Sequence, residues 1–175
     1  MDIIALEGVY YMKKIVIDLL NERGVTLRDI GELVYDLQIK YVSLTLEDAI
    51  NNVEKVLEKR EVQNAILTGI AVDKLAEQNL IEEPLLSMIK NDDSLYGIDE
   101  IMSLSITNIY GSIGFTNFGY LDKVKPGIIG RVDAHAKGQV NTFLDDLIAG
   151  IAAAACARIA HSKAHEKVTE EDLDQ

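Results

Sequence analysis

The stretch Asn141-Thr-Phe-Leu-Asp145-Asp146-Leu-Ile-Ala-Gly150-Ile-Ala-Ala-Ala-Ala-Cys156-Ala-Arg158-Ile-Ala160 decides the fold. Two adjacent carboxylates open it. The eleven residues from Leu147 to Ala157 then carry no charge, and Cys156 has their only hydrogen-bonding side chain. A helix that is apolar all round belongs at the centre of a domain, surrounded by others. Carboxylates at the mouth of such a helix are costly to desolvate unless a partner holds them.

Working outward, apolar residues recur at helical spacing along most of the chain. Val9, Met12, Val16, Leu19 and Leu20 make a first stripe, with Gly24 as its stop. Thr26 to Asp29 and Thr45 to Asp48 read as capping boxes for helices running to Leu37 and Leu57. Glu58 to Glu61 marks a break before a helix from Val62 to Leu75. A short helix follows Pro84, and Ile98 to Ile109 makes another, with Asn91 to Ser94 a polar loop between them. From Gly111 to Val140 glycines and Pro126 interrupt any period, which predicts a long irregular segment of the kind that is usually functional or disordered. The expected fold is all-α, a bundle of six to seven helices around the 141–160 helix. Residues 1–175 form a single domain, with a polar tail from about 162 expected to be mobile.

The net charge of −12 opposes a general basic field for nucleic acid or an anionic bilayer. The single cysteine excludes an intrachain disulfide, and Cys156 reads as a small buried hydrophobe. The N-terminus lacks a basic leader, and no apolar run approaches the roughly 20 residues of a membrane span. A cytoplasmic protein is expected, with peripheral membrane contact and homo-oligomerisation both allowed.

Asp145 and Asp146 have two readings. With Thr142 as N-cap, Asp145 becomes the third residue of a capping box, and both acids favour the positive helix end by about 0.3–1 kcal/mol each. Alternatively, both approach buried space, where a divalent cation or a basic side chain would hold them; among cations, carboxylate oxygens suit Mg²⁺ best. The segment upstream supplies company. Gly111, Ser112, Gly114, Thr116 and Asn117 offer amides and side-chain donors to a phosphate, although no nucleotide-binding glycine motif is present. Residues 118–140 carry a net +2, including Lys123 and Arg131, so an anionic substrate is suited there. Asp133 and His135 are candidates for a further metal ligand and a proton donor. Patterns for cysteine phosphatases, aspartyl phosphotransferases, serine hydrolases and zinc proteases are absent.

The segments Gly111-Ser-Ile-Gly-Phe-Thr-Asn-Phe-Gly119 and Val140-Asn-Thr-Phe-Leu-Asp-Asp-Leu-Ile-Ala-Gly150 resemble the phosphatidylglycerophosphatase A family. Nearly the whole chain is similar to its soluble, YutG-like branch from Gram-positive bacteria. Asp145 and Asp146 match the acidic pair that opens a helix in the membrane branch. This chain has Asp where that branch has Glu, and it lacks the Pro-Gly-Thr turn. The resemblance implies a helical bundle with one encircled helix and Mg²⁺-dependent removal of the terminal phosphate from phosphatidylglycerophosphate. The residues alone also leave open a small phosphomonoester as substrate, or a non-catalytic regulatory or assembly module.

Overall fold

The computed structural model describes the backbone of residues 3–134 and 138–171, with side chains from 11 to 134 and from 138 to 162. Among the described residues there are nine α-helices and no strand: α1 (Ile3–Glu22), α2 (Leu27–Gln38), α3 (Leu46–Leu57), α4 (Arg60–Glu77), α5 (Leu85–Lys90), α6 (Ile98–Thr107), α7 (Ser112–Val124), α8 (Ile128–Asp133) and α9 (Leu144–Glu171). A 3₁₀ turn over Asn108–Tyr110 extends α6. No helix among the described residues is long and apolar enough to cross a membrane.

Local signals set the early helix ends. Gly24 adopts φ +78°, and the amides of Gly24 and Val25 return to the carbonyls of Asn21 and Leu20. Val25 then packs into the core, closing a Schellman end to α1. Both expected capping boxes form: Thr26 with Asp29 and Thr45 with Asp48 exchange side-chain and backbone hydrogen bonds. The short helix expected at Pro84 forms as α5, with Pro84 at its N-cap.

α9 is the central helix. Every side chain from Leu147 to Ala157 is buried, and α2, α3, α4, α6, α7 and α8 all pack against it. Each buried Leu or Ile there contributes about 1.5–3 kcal/mol relative to exposure. Small residues let neighbours approach. A Cβ on Gly150 would stand 3.0 Å from the Ser103 carbonyl oxygen of α6, and one on Gly69 would stand 2.6 Å from Leu147 Cδ1. Cys156 is buried, as expected, and burial pushes its thiol up to about 12.

The segment 111–140 departs from expectation. It holds two helices, α7 and α8, and not a long irregular loop. Its glycines act differently from one another. Gly111 (φ +76°) and Gly127 (φ +57°) are genuine turns that begin the two helices. Gly114 is a contact glycine inside α7, where a Cβ would lie 3.0 Å from the Thr107 carbonyl oxygen. Packing of Phe118 and Leu121 into the core outweighs the weak helix propensity of these glycines.

Candidate active site

The site is built where α9 begins. Arg23 Nη2 donates to the Val140 carbonyl at 2.6 Å and to Asn141 Oδ1 at 2.5 Å. Its Nη1 pairs with Glu77 at 2.7 Å, and the same Glu77 oxygen accepts from the Val140 amide. Asn141 Nδ2 donates to the Val132 carbonyl. Thr142 Oγ1 donates to the Ile89 carbonyl, so the expected Thr142 cap is replaced. Asp73 caps instead: its two carboxylate oxygens accept from the amides of Phe143 and Leu144 at 3.2 and 3.1 Å. Asp73 is fully buried, and that burial raises its pKa to about 8, against the pull of the two amides and Arg23. The end of α1, α4, α5 and α8 thus fix the first turn of α9 and the direction of the two acids that follow.

With the cap supplied by Asp73, Asp145 and Asp146 are freed from that role. Both are at most 4% exposed. Asp145 Oδ2 lies 2.5 Å from Lys125 Nζ, which also reaches Asp133 Oδ1 at 2.7 Å. Lys125 ends α7 in a left-handed conformation, φ 45° and ψ 54°. A non-glycine residue there stores strain, which is characteristic of functional positions. Gly130 is required beneath it, since a Cβ would come within 2.5 Å of the Lys125 carbonyl oxygen.

Asp145 and Asp146 open into a hollow of about 170 Å³. Its walls come from the 92–97 loop, from Asp99 and Glu100 on α6, and from Asp122 and Lys125 on α7. Seven carboxylates therefore face one ammonium. Burial raises Asp146 to about 9, helped by the negative charges of Asp145, Asp122 and Asp99 and opposed by Lys125. Burial also lifts Asp145 to about 6, with Lys125 pulling it back. Burial likewise raises Asp99 and Glu100, and nearby acids add to it. Lys125 loses some stability as a cation through burial, but Asp133 and Asp145 outweigh this and hold it protonated.

This arrangement suits a small hard dication beside a phosphoryl group. All donors are oxygens, and burial, reinforced by the neighbouring negative charges, is what keeps Asp146 protonated. Among the described residues, no three His, Cys, Asp or Glu side chains stand close enough together to hold a metal ion by themselves. Mg²⁺ fits such an open site, because it takes one or two carboxylates, keeps several waters and shares substrate oxygens.

The structure sorts the sequence candidates. Asp145 and Asp146 share the pocket. Asp133 is tied to Asp145 only through Lys125 and does not line the pocket. His135 lies outside the described residues. Gly111, Ser112 and Gly114 sit at the far end of α7 from Asp122 and Lys125, about 15 Å of helix away. Thr116 and Asn117 line a different hollow, with Tyr41 and Tyr120. Lys123 is exposed, and Arg131 Nη2 is on Asp29 at 2.5 Å, tying α8 to the α2 cap. Sequence reasoning missed Asp73, Asp99, Glu100 and Asp122, and it counted Lys125 only within a basic island. Asp73 did leave a signal: it is an acid on the apolar stripe Ile66, Gly69, Ile70, Ala76 of α4.

Residues 21–161 match the family model described as Phosphatidylglycerophosphatase A. The uncharacterized protein YutG of Bacillus subtilis (strain 168) is 56% identical over 147 residues, covering 83% of this chain and 89% of that protein. The uncharacterized protein YpjQ of the same strain is 54% identical over 159 residues, covering 90% and 88%. The crystal structure of the low temperature requirement C protein from Listeria monocytogenes superposes with a TM-score of 0.84 at 54% identity, covering 87% of this chain and 96% of that one.

Proposed function

We propose, from the premise that this chain belongs to the phosphatidylglycerophosphatase A family, that it is a Mg²⁺-dependent lipid phosphatase. Its reaction would hydrolyse the terminal phosphomonoester of phosphatidylglycerophosphate, giving phosphatidylglycerol and inorganic phosphate. The observation that carries this reading is the pocket in which Asp145 and Asp146, both buried, stand beside the single ammonium of Lys125.

Asp146, with at most one further carboxylate of the pocket wall, would hold Mg²⁺, the remaining positions being left to water and substrate oxygens. When bound, the ion polarises the phosphoryl oxygens and offsets the charge that accumulates on them. Lys125 supplies donors to the phosphate, and its ion pairs with Asp133 and Asp145 hold Nζ at the pocket wall. Asp145, at about 6, can accept a proton from an attacking water near neutral pH. The Asp73 cap and the Arg23–Glu77 pair keep these side chains in register on the rigid start of α9. The polar walls leave the glycerophosphate headgroup as the part of the substrate that enters.

The test is phosphate release by purified protein. Phosphatidylglycerophosphate in detergent should yield phosphate with Mg²⁺ and none after chelation. An Asp145→Asn/Asp146→Asn double variant should be inactive. Absence of phosphate release from this lipid and from soluble phosphomonoesters would overturn the proposal, and a fully active double variant would move the site elsewhere.

A further inference from the structure

Beside the acidic pocket stands a set of apolar side chains that the core does not use. Leu95 is fully exposed, Ile101 is 61% exposed and Ile98 is 47% exposed. Leu95 lies on the pocket wall and is held at φ +69°, a conformation that costs a branched apolar residue strain. Ile98 and Ile101 are one helical turn apart on α6 and share a face. The residues between them, Asp99 and Glu100, line the pocket. Apolar rim and acidic wall are therefore interleaved on one short segment.

We propose that Leu95, Ile98 and Ile101 insert into the surface of a phospholipid bilayer and seat the pocket over its headgroups. This inference rests on the lipid-phosphatase reading. A hollow of about 170 Å³ admits a phosphate and part of a polar headgroup, and its walls are almost wholly polar. Acyl chains have no room and no apolar lining there. They stay in the bilayer, so the pocket mouth must come to the membrane. The acids at that mouth repel an anionic surface, and the chain carries −12 overall, so attachment depends on apolar insertion and not on a basic patch.

The chain has no tryptophan, so Leu95→Trp places a sole indole at the proposed contact. With phosphatidylcholine vesicles and Mg²⁺, its fluorescence should shift to shorter wavelength and be quenched by lipids brominated on their acyl chains. Tyr41→Trp, in the hollow lined by Thr116 and Asn117, should keep its water-exposed emission. A Leu95→Ser/Ile98→Ser/Ile101→Ser variant should partition onto the vesicles about a hundredfold less than the unmodified chain, and added salt should not weaken binding of the unmodified chain. Unchanged Leu95→Trp emission, a shift at Tyr41→Trp instead, or binding that salt abolishes would each overturn the proposal. The Leu95→Trp result decides the matter even if the triple variant fails to fold. Vesicle binding is read without turnover, whereas phosphate release from soluble phosphomonoesters reads the pocket without a bilayer. Failure of one is thereby told apart from failure of the other.

Discussion

Asp146→Asn should stabilise the metal-free protein while abolishing its activity. The ordinary aspartate value is 3.8, and burial with three neighbouring acids raises Asp146 to about 9 in the folded chain. The sign follows from linkage. Below pH 3.8 the side chain is protonated whether folded or not, and it costs nothing. As pH rises toward 9, the unfolded chain releases a proton that the folded chain retains, so stability falls by about 1.4 kcal/mol per pH unit. At pH 7 the accumulated cost is about 4 kcal/mol, with little solvent screening because the residue is only 4% exposed. Asparagine has a similar shape and no charge to desolvate. Urea denaturation in chelator should therefore show the variant more stable at pH 7 by about 2–4 kcal/mol, with the gain shrinking at pH 5. Mg²⁺ should raise the melting temperature of the unmodified chain and leave the variant unmoved. A variant no more stable at pH 7, or a gain identical at both pH values, would refute the electrostatic reasoning.

Lys125→Gln removes the ammonium shared by Asp133 and Asp145; it should cost about 3 kcal/mol in chemical denaturation, because Asp145 is left buried without its cation, and it should depress kcat/KM at least tenfold. Asp73→Asn keeps one acceptor where two amides need two, so denaturation should show a loss of about 1–3 kcal/mol and activity should fall with the disordered start of α9. Gly150→Ala, favourable in an isolated helix, should destabilise by about 1–3 kcal/mol, since its Cβ would press on the Ser103 backbone; a raised melting temperature would deny that contact.

What could be read from the sequence was what depends on neighbours in the chain. The Thr26–Asp29 and Thr45–Asp48 boxes are closed within four residues, and both form. The encirclement of α9 follows from one uninterrupted apolar run. The acidic pair was visible for the same reason, as charge at the edge of that run. α7 was obscured because Gly114 and Gly119 mimic turns, and only the Thr107 backbone across the interface explains the first of them. The cap of α9 comes from Asp73, about seventy positions upstream, so the local Thr142 pattern was misleading. The same distance hid the pocket. Asp99, Asp122 and Lys125 reach Asp146 through the packing of α6 and α7 on α9, and no spacing in the chain encodes that meeting.

The central claim is that Asp146 and its neighbours hold a divalent cation beside Lys125, where a phosphoryl group is received. It is tested most directly by a crystal structure with Mn²⁺ in place of Mg²⁺ and a non-hydrolysable phosphonate analogue of the substrate. The account predicts an anomalous peak in contact with the Asp146 carboxylate, and a phosphonate oxygen bound by both the ion and Lys125 Nζ. A pocket without metal density at saturating Mn²⁺, or a phosphonate bound away from Lys125, would contradict it.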